Sequence, residues 1–197
     1  REALQSIDKE KTGPEVLNIL HSSIAGRIAW EWNTRCKQEH LQNPTADGEW
    51  SEELVLYGTT LLVIGFSETW LIVYQLGDGD VLFMNKENQP HFPFPEESIS
   101  GIFTHSLCQS NHLEKAQIYC QKNTGNISRI LLSTDGIRDC LAGSREKLIQ
   151  FANWLEQKIS REGSQETQEA MKSWLSELSL RGNGDDNSFA LLWCEKE

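Results

Sequence analysis

The chain has 197 residues, 38% of them hydrophobic and 24% charged, with 29 acidic against 18 basic side chains and a formal charge of -11. That length can bury a real core without disulfide or metal staples, so one globular domain over residues 1–197 is expected. The acidity excludes a nucleic-acid backbone or an anionic membrane surface as the main partner, because either would be repelled.

No apolar run approaches a membrane span and the start carries no signal-peptide pattern. Five cysteines (Cys36, Cys108, Cys120, Cys140, Cys194) form an odd, scattered set without a Cys-x-x-Cys pair. They are expected to be free core thiols of a reducing, cytoplasmic compartment.

In chain order, Thr12-Gly13-Pro14-Glu15 offers a helix start, with Pro in the first turn and an acid at the positive end of the dipole. Leu17, Leu20, Ile24, Ile28 and Trp32 recur at three- and four-residue spacing, which predicts an amphipathic helix ending near His40. Asn43 to Trp50 reads as a loop. From Leu54 to Leu76 apolar and β-branched runs (Leu61 to Ile64, Trp70 to Tyr74) flank the turn-like Ser67-Glu68-Thr69 and predict a hairpin of buried strands. Val81 to Met84 continues the sheet, and Pro90 to Glu97 reads as an irregular loop. Strands are expected at Ala116 to Cys120 and Ile130 to Ser133, around the turn Asn123-Thr124-Gly125-Asn126. Ser144 can cap a helix with Leu148, Phe151, Leu155 and Ile159 on one face. Gln165 to Leu180 presents Met171, Trp174, Leu175 and Leu178. Arg181-Gly182-Asn183-Gly184 gives that helix a glycine stop, and Phe189 to Trp193 reads as a last strand.

Two strand ends offer carboxylates, one at Asp135-Gly136 and one at Asp185-Asp186. A strand holds such an oxygen rigidly while glycine allows close approach, which suits a metal site. Oxygen ligands without a His or Cys pattern point to Mg2+ or Mn2+ rather than zinc. The plainer reading makes each Asp-Gly or Gly-Asp a turn. Gly77-Asp78-Gly79-Asp80 reads as a bend or bulge between strands, or as a weak phosphate-cradling loop. The histidines show no metal-ligand spacing, His105 being the one to watch, and no Gly-x-Ser-x-Gly elbow or phosphate-loop cysteine supplies a nucleophile.

Taken together, Tyr57-Gly58-Thr59-Thr60, Leu76-Gly77-Asp78-Gly79-Asp80, Leu132-Ser133-Thr134-Asp135-Gly136-Ile137-Arg138-Asp139 and Asp185-Asp186-Asn187-Ser188 resemble, in order and spacing, the metal-dependent protein phosphatases of type 2C. The likeness is to the compact bacterial branch. It implies an α+β fold, a four-layer α-β-β-α sandwich of two mainly antiparallel sheets flanked by helices, with a two-metal centre at one end of the sheets. By position, Asp135 and Asp185 resemble metal ligands, Asp186 a carboxylate beside them, and Asp139 one that helps to hold a third metal. Gly58, Thr59, Gly77, Asp78 and Gly136 belong to the structural motifs, with Asp78 fixing a bend.

The implied activity is Mn2+- or Mg2+-dependent hydrolysis of phosphoserine and phosphothreonine in proteins, by water activated between cations roughly 3.5–4 Å apart. The implied partners are a phosphorylated protein substrate and a cognate Ser/Thr kinase. One departure stands out. The family's Asp-Gly-x-Gly motif before the first long helix, whose Asp bridges the metals, is not found here, nor are its earlier acidic residue and phosphate-binding Arg. Asp47-Gly48-Glu49-Trp50 has the wrong order. The expectation is a domain whose first strands lie upstream of Arg1. The alternative is a pseudophosphatase that binds a phosphoprotein or kinase. Outside the family, a nucleotide- or sugar-binding domain using Gly77 to Gly79 is the third reading.

Overall fold

A computed structural model of the protein describes residues 7, 10–42, 54–96, 104–141, 143–181 and 187–193. They fall into two compact units, Arg1–Asp78 with Glu96–Thr124 and Gly79–Pro95 with Gly125–Glu197. Each unit holds one antiparallel sheet with helices against it, so the fold is α+β as expected.

In the first unit, helix α1 (Gly13–Ile19) starts where Glu15 turns back on Thr12. Its carboxylate accepts the Thr12 backbone N–H and hydroxyl, both at 2.7 Å. Those bonds satisfy a donor that the helix start leaves open. They also hold the Glu15 carboxyl below its ordinary value. A π turn (Leu20–Ala25) follows, then helix α2 (Gly26–Gln42).

The π turn moves the buried face. The core side is Val16, Leu20, Ala25, Ala29 and Cys36, whereas Leu17 and Ile28 of the predicted stripe are only half-buried. The five-residue step from Leu20 to Ala25 is what a π turn accommodates and a regular helix does not. Leu54–Tyr57 is a 3-10 turn rather than part of a strand, and it leaves Val55 and Leu56 exposed.

The sheet runs β1 (Leu61–Phe66), β2 (Trp70–Leu76), β5 (Gln117–Lys122), in that order in space. β2 pairs antiparallel to both neighbours. As the central strand it is buried throughout, which explains its unbroken apolar run. β1, an edge, is partly exposed, and Val63 and Phe66 face solvent. Trp70 and Ile72 meet Val16 and Leu20, while Tyr74 and Leu76 meet Ala25 and Ala29. The short helix α3 (His112–Lys115) leads into β5.

The second unit's sheet has the order β4 (Pro90–His91), β3 (Asp80–Asn85), β6 (Ile127–Ser133), β7 (Phe189–Trp193). β4 lies within the stretch read as a loop and bonds to Phe83 and Met84. A proline is tolerated there because β4 is an edge. Helix α4 (Asp135–Cys140) follows β6 directly, and was not expected as a helix. Helices α5 (Arg145–Glu162) and α6 (Ser164–Arg181) cover the sheet as predicted. Ser144 caps α5 by accepting the Lys147 N–H at 3.2 Å. Leu148, Phe151, Leu155 and Met171 pack with Leu82, Met84 and Leu131.

The glycine stop after α6 falls mostly outside the described residues. Cys36, Cys108, Cys120 and Cys140 form no disulfide, but of these four only Cys36 is buried, so the expectation of core thiols is corrected for Cys108, Cys120 and Cys140; Cys194 lies outside the described residues. Burial pushes the Cys36 and Cys120 thiols up. No described helix is long and apolar enough to cross a membrane.

Candidate functional site

Strand β6 carries the second unit's apolar core and ends at Ser133, paired with Asp80 on one side and Phe189 on the other. Thr134 then caps α4 in extended conformation, and Asp135 is that helix's first residue rather than the strand's last. The Asp135 Oδ1 accepts the Gly136 N–H at 2.9 Å. Asp139 is exposed one helical turn further on, so by helical spacing the two carboxylates share a face. Ile137, on the opposite side, is completely buried against Leu82, Leu131 and Leu148.

Two contacts tie this corner to the chain that follows Asp185 and Asp186. The Thr134 N–H donates to the Ser188 carbonyl at 3.0 Å, and the Ser188 N–H donates to the Thr134 hydroxyl at 3.0 Å. Asn187 accepts a long contact from the Cys140 thiol at 3.9 Å and donates to the Ser179 hydroxyl at 3.3 Å. Asp185 and Asp186 themselves lie outside the described residues, as does Asp47-Gly48.

The arginine inside the motif was not singled out from sequence. Arg138 projects from α4 to Asp80, Nη1 to Oδ1 at 3.1 Å, and Asp80 is only 3% exposed. No local pattern reveals that pair, because the partners are 58 positions apart. An acid at the first position of a buried strand is the one signal that could have pointed to it.

The other motif residues are structural in their contacts. Gly77 has φ +100°, and a Cβ there would lie 2.4 Å from the Thr60 Cγ2 and 3.2 Å from the His105 carbonyl oxygen. Its own carbonyl accepts from Gln75 Nε2 at 3.1 Å. That side of the loop is filled with protein, not shaped as an open cradle. The Asp78 carboxylate accepts the Thr104 hydroxyl. Thr59 and Ser106 exchange bonds of 2.8 and 3.1 Å, and Gly58 packs against the Val55 carbonyl, Ser106 and Cys108.

Asp135 and Asp139 are hard oxygen donors of the kind that suit Mg2+ or Mn2+. Two carboxylates do not complete a site, and among the described residues no three His, Cys, Asp or Glu gather into a ligand group. The two carboxylates fit such a cation in kind.

A family profile described as protein phosphatase 2C matches residues 2–176. No curated protein matches the chain. Among solved structures it is similar to the catalytic domain of the serine/threonine protein phosphatase PstP in complex with two manganese ions, at 20% identity and TM-score 0.52 over 96% of this chain and 76% of that one. It is similar to the serine/threonine phosphatase Stp1 from Staphylococcus aureus at 16% identity and TM-score 0.51, covering 96% and 70%. It is also similar to serine-threonine phosphatase 2C from Toxoplasma gondii at 14% identity and TM-score 0.56, covering 96% and 72%. At these identities the likeness is one of fold.

Proposed function

The chain belongs to the protein phosphatase 2C family, and from that premise we propose that it is a Mn2+- or Mg2+-dependent serine/threonine phosphoprotein phosphatase domain, with residues 1–197 forming a single domain in the cytoplasm. Its substrate is a phosphorylated protein, and a Ser/Thr kinase that writes the same phosphates is the natural partner. The supporting observation is the corner of α4. Asp135 and Asp139 stand one turn apart there, and Thr134 is bonded to Ser188, two residues beyond Asp186.

In this reading Asp135, Asp139, Asp185 and Asp186 hold the cations. When bound, such ions lower the pKa of a coordinated water and offset phosphoryl charge, which also lets an acidic protein accept a phosphorylated chain. The chain's own residues supply rigidity: β6 fixes where α4 begins, Ile137 seats it, and Thr134 keeps β7 beside it. Gly58, Thr59, Gly77, Asp78 and Gly136 shape the loops.

The test is hydrolysis of a phosphothreonine peptide by the intact protein, with and without Mn2+, compared with Asp135→Asn. Metal-dependent turnover that the variant loses supports the phosphatase. A folded protein that binds the phosphopeptide without turnover, in keeping with the unmatched Asp-Gly-x-Gly motif, makes it a non-catalytic phosphoprotein-binding relative instead.

A further inference from the structure

We propose that the Asp80–Arg138 ion pair is a positioning device, setting the rotation of α4 and with it the direction in which Asp135 and Asp139 point; this rests on the metal-centre reading above. Helix α4 has six residues, too few to hold its own geometry, because a helix that short does not recover its nucleation cost. Its orientation must therefore come from what its side chains grip. Ile137 enters the core, where it is 0% exposed. A single apolar tooth fixes depth but resists twisting about the helix axis poorly, since apolar contacts are not directional.

Arg138 is the next residue, about 100° further round. It reaches Asp80 at 3.1 Å, with side-chain exposures of 20% for Arg138 and 3% for Asp80. A buried carboxylate is costly unless paired, and an ionised hydrogen bond has a strict direction. Two adjacent anchors of different kinds thus fix depth and rotation together. Asp135 and Asp139 lie about 40° apart on the helix face by the same spacing. A rotation that freed Arg138 would swing both carboxylates at once.

Asp80 is well suited to be the fixed end. It is the first residue of β3 and is paired in register with Ser133, the residue that ends β6 one step before the Thr134 cap. The ladder that holds Asp80 is therefore the ladder from which α4 departs. The last residue of Gly77-Asp78-Gly79-Asp80 acquires a role this way, acting through Arg138 and touching neither metal nor substrate.

The two charges make the idea testable without reference to turnover. If the pair acted only by its field on a cation, Asp80→Asn would weaken Mn2+ binding and Arg138→Gln would tighten it. Positioning demands that both weaken it, by about tenfold, in the range seen when groups supporting metal ligands are removed. The measurement is titration of the intact protein with Mn2+, followed by the free-ion EPR signal, with circular dichroism confirming the fold of each variant.

Arg138 is the more exposed partner, so Arg138→Gln carries the test even where Asp80→Asn fails to fold. Unchanged or tighter Mn2+ binding by folded Arg138→Gln overturns the proposal and leaves the metal centre standing. Asp135→Asn is the control. If it too binds Mn2+ like the parent, the metal-centre reading fails, and the positioning role is overturned with it.

Discussion

Gly77 is the residue at which the backbone leaves least room for choice. Its φ of +100° lies in the region L side chains rarely adopt, and the Thr60 Cγ2 and Cβ stand 2.4 and 2.6 Å from where a Cβ would be. Gly77→Ala is expected to destabilise by about 2–4 kcal/mol, the sum of backbone strain and an overpacked contact, measured by urea denaturation. Adding Thr60→Gly removes both clashing atoms but not the strain, so the double variant should recover only part of the loss. Glu15 gives a prediction in pH. Its carboxyl is lowered below the ordinary value chiefly by the Thr12 backbone N–H, then by the Thr12 hydroxyl. A group depressed in the folded state contributes stability that is present above its unfolded value and lost as pH falls through the folded one. Glu15→Gln should therefore be less stable than the parent at neutral pH. The two should converge in acid below the ordinary glutamate range; denaturation at both pH values checks the sign.

At the scale of elements, the π turn makes the sharpest prediction. Val16 and Leu20 are four apart, Leu20 and Ala25 five, and Ala25 and Ala29 four, all on the buried side. One residue too many has been absorbed between Leu20 and Ala25. Deleting the exposed Ser23 turns the five-step into a four-step, so a continuous α-helix would keep the same buried face. The midpoint of thermal unfolding should stay within about 3 °C of the parent. Deleting Glu31 instead rotates Trp32 and Cys36 by about 100° away from their sites and should lower it by more than about 5 °C. A regular helical period has no place for that extra residue, which is why the sequence pattern puts Ile28 rather than Ala29 on the core side. β2 and β3 were legible because strands buried along their length read as unbroken apolar runs. β4 was not, since Pro90 beside further prolines reads as a loop, and only an edge position admits it. α4 was missed for a local reason: Asp135-Gly136 has turn chemistry, and glycine is among the poorest helix formers. In the candidate site Asp135 was visible as a carboxylate just past the end of a strand. The bonds that tie the α4 corner to β7 and β3 were not, because Thr134 to Ser188 and Asp80 to Arg138 join positions 54 and 58 apart.

For the whole molecule, the division into two units bears on how metal binding should be felt. Of the four aspartates proposed to hold the cations, Asp135 and Asp139 belong to the unit formed by Gly79–Pro95 and Gly125–Glu197, whose bounds also span positions 185 and 186. That unit carries its own sheet and a core centred on Leu82, Leu131, Leu148 and Leu155. A ligand stabilises only the states that bind it, by about 2.7 kcal/mol at a hundredfold excess over its dissociation constant. Local openings that disrupt the α4 corner would be suppressed by that amount, while openings confined to the β1-β2-β5 unit would not. Hydrogen exchange of the intact protein in saturating Mn2+ should therefore slow in β3, β6 and α4 by up to about a hundredfold. Amides of β1, β2 and β5 should keep their rates, and chelation should reverse the change. Asp135→Asn should remove the difference between the metal-loaded and chelated protein. Slowing spread evenly over both sheets would show instead that the two units open together. No slowing anywhere, under conditions where the parent hydrolyses the phosphopeptide, would place the cation site outside these four aspartates.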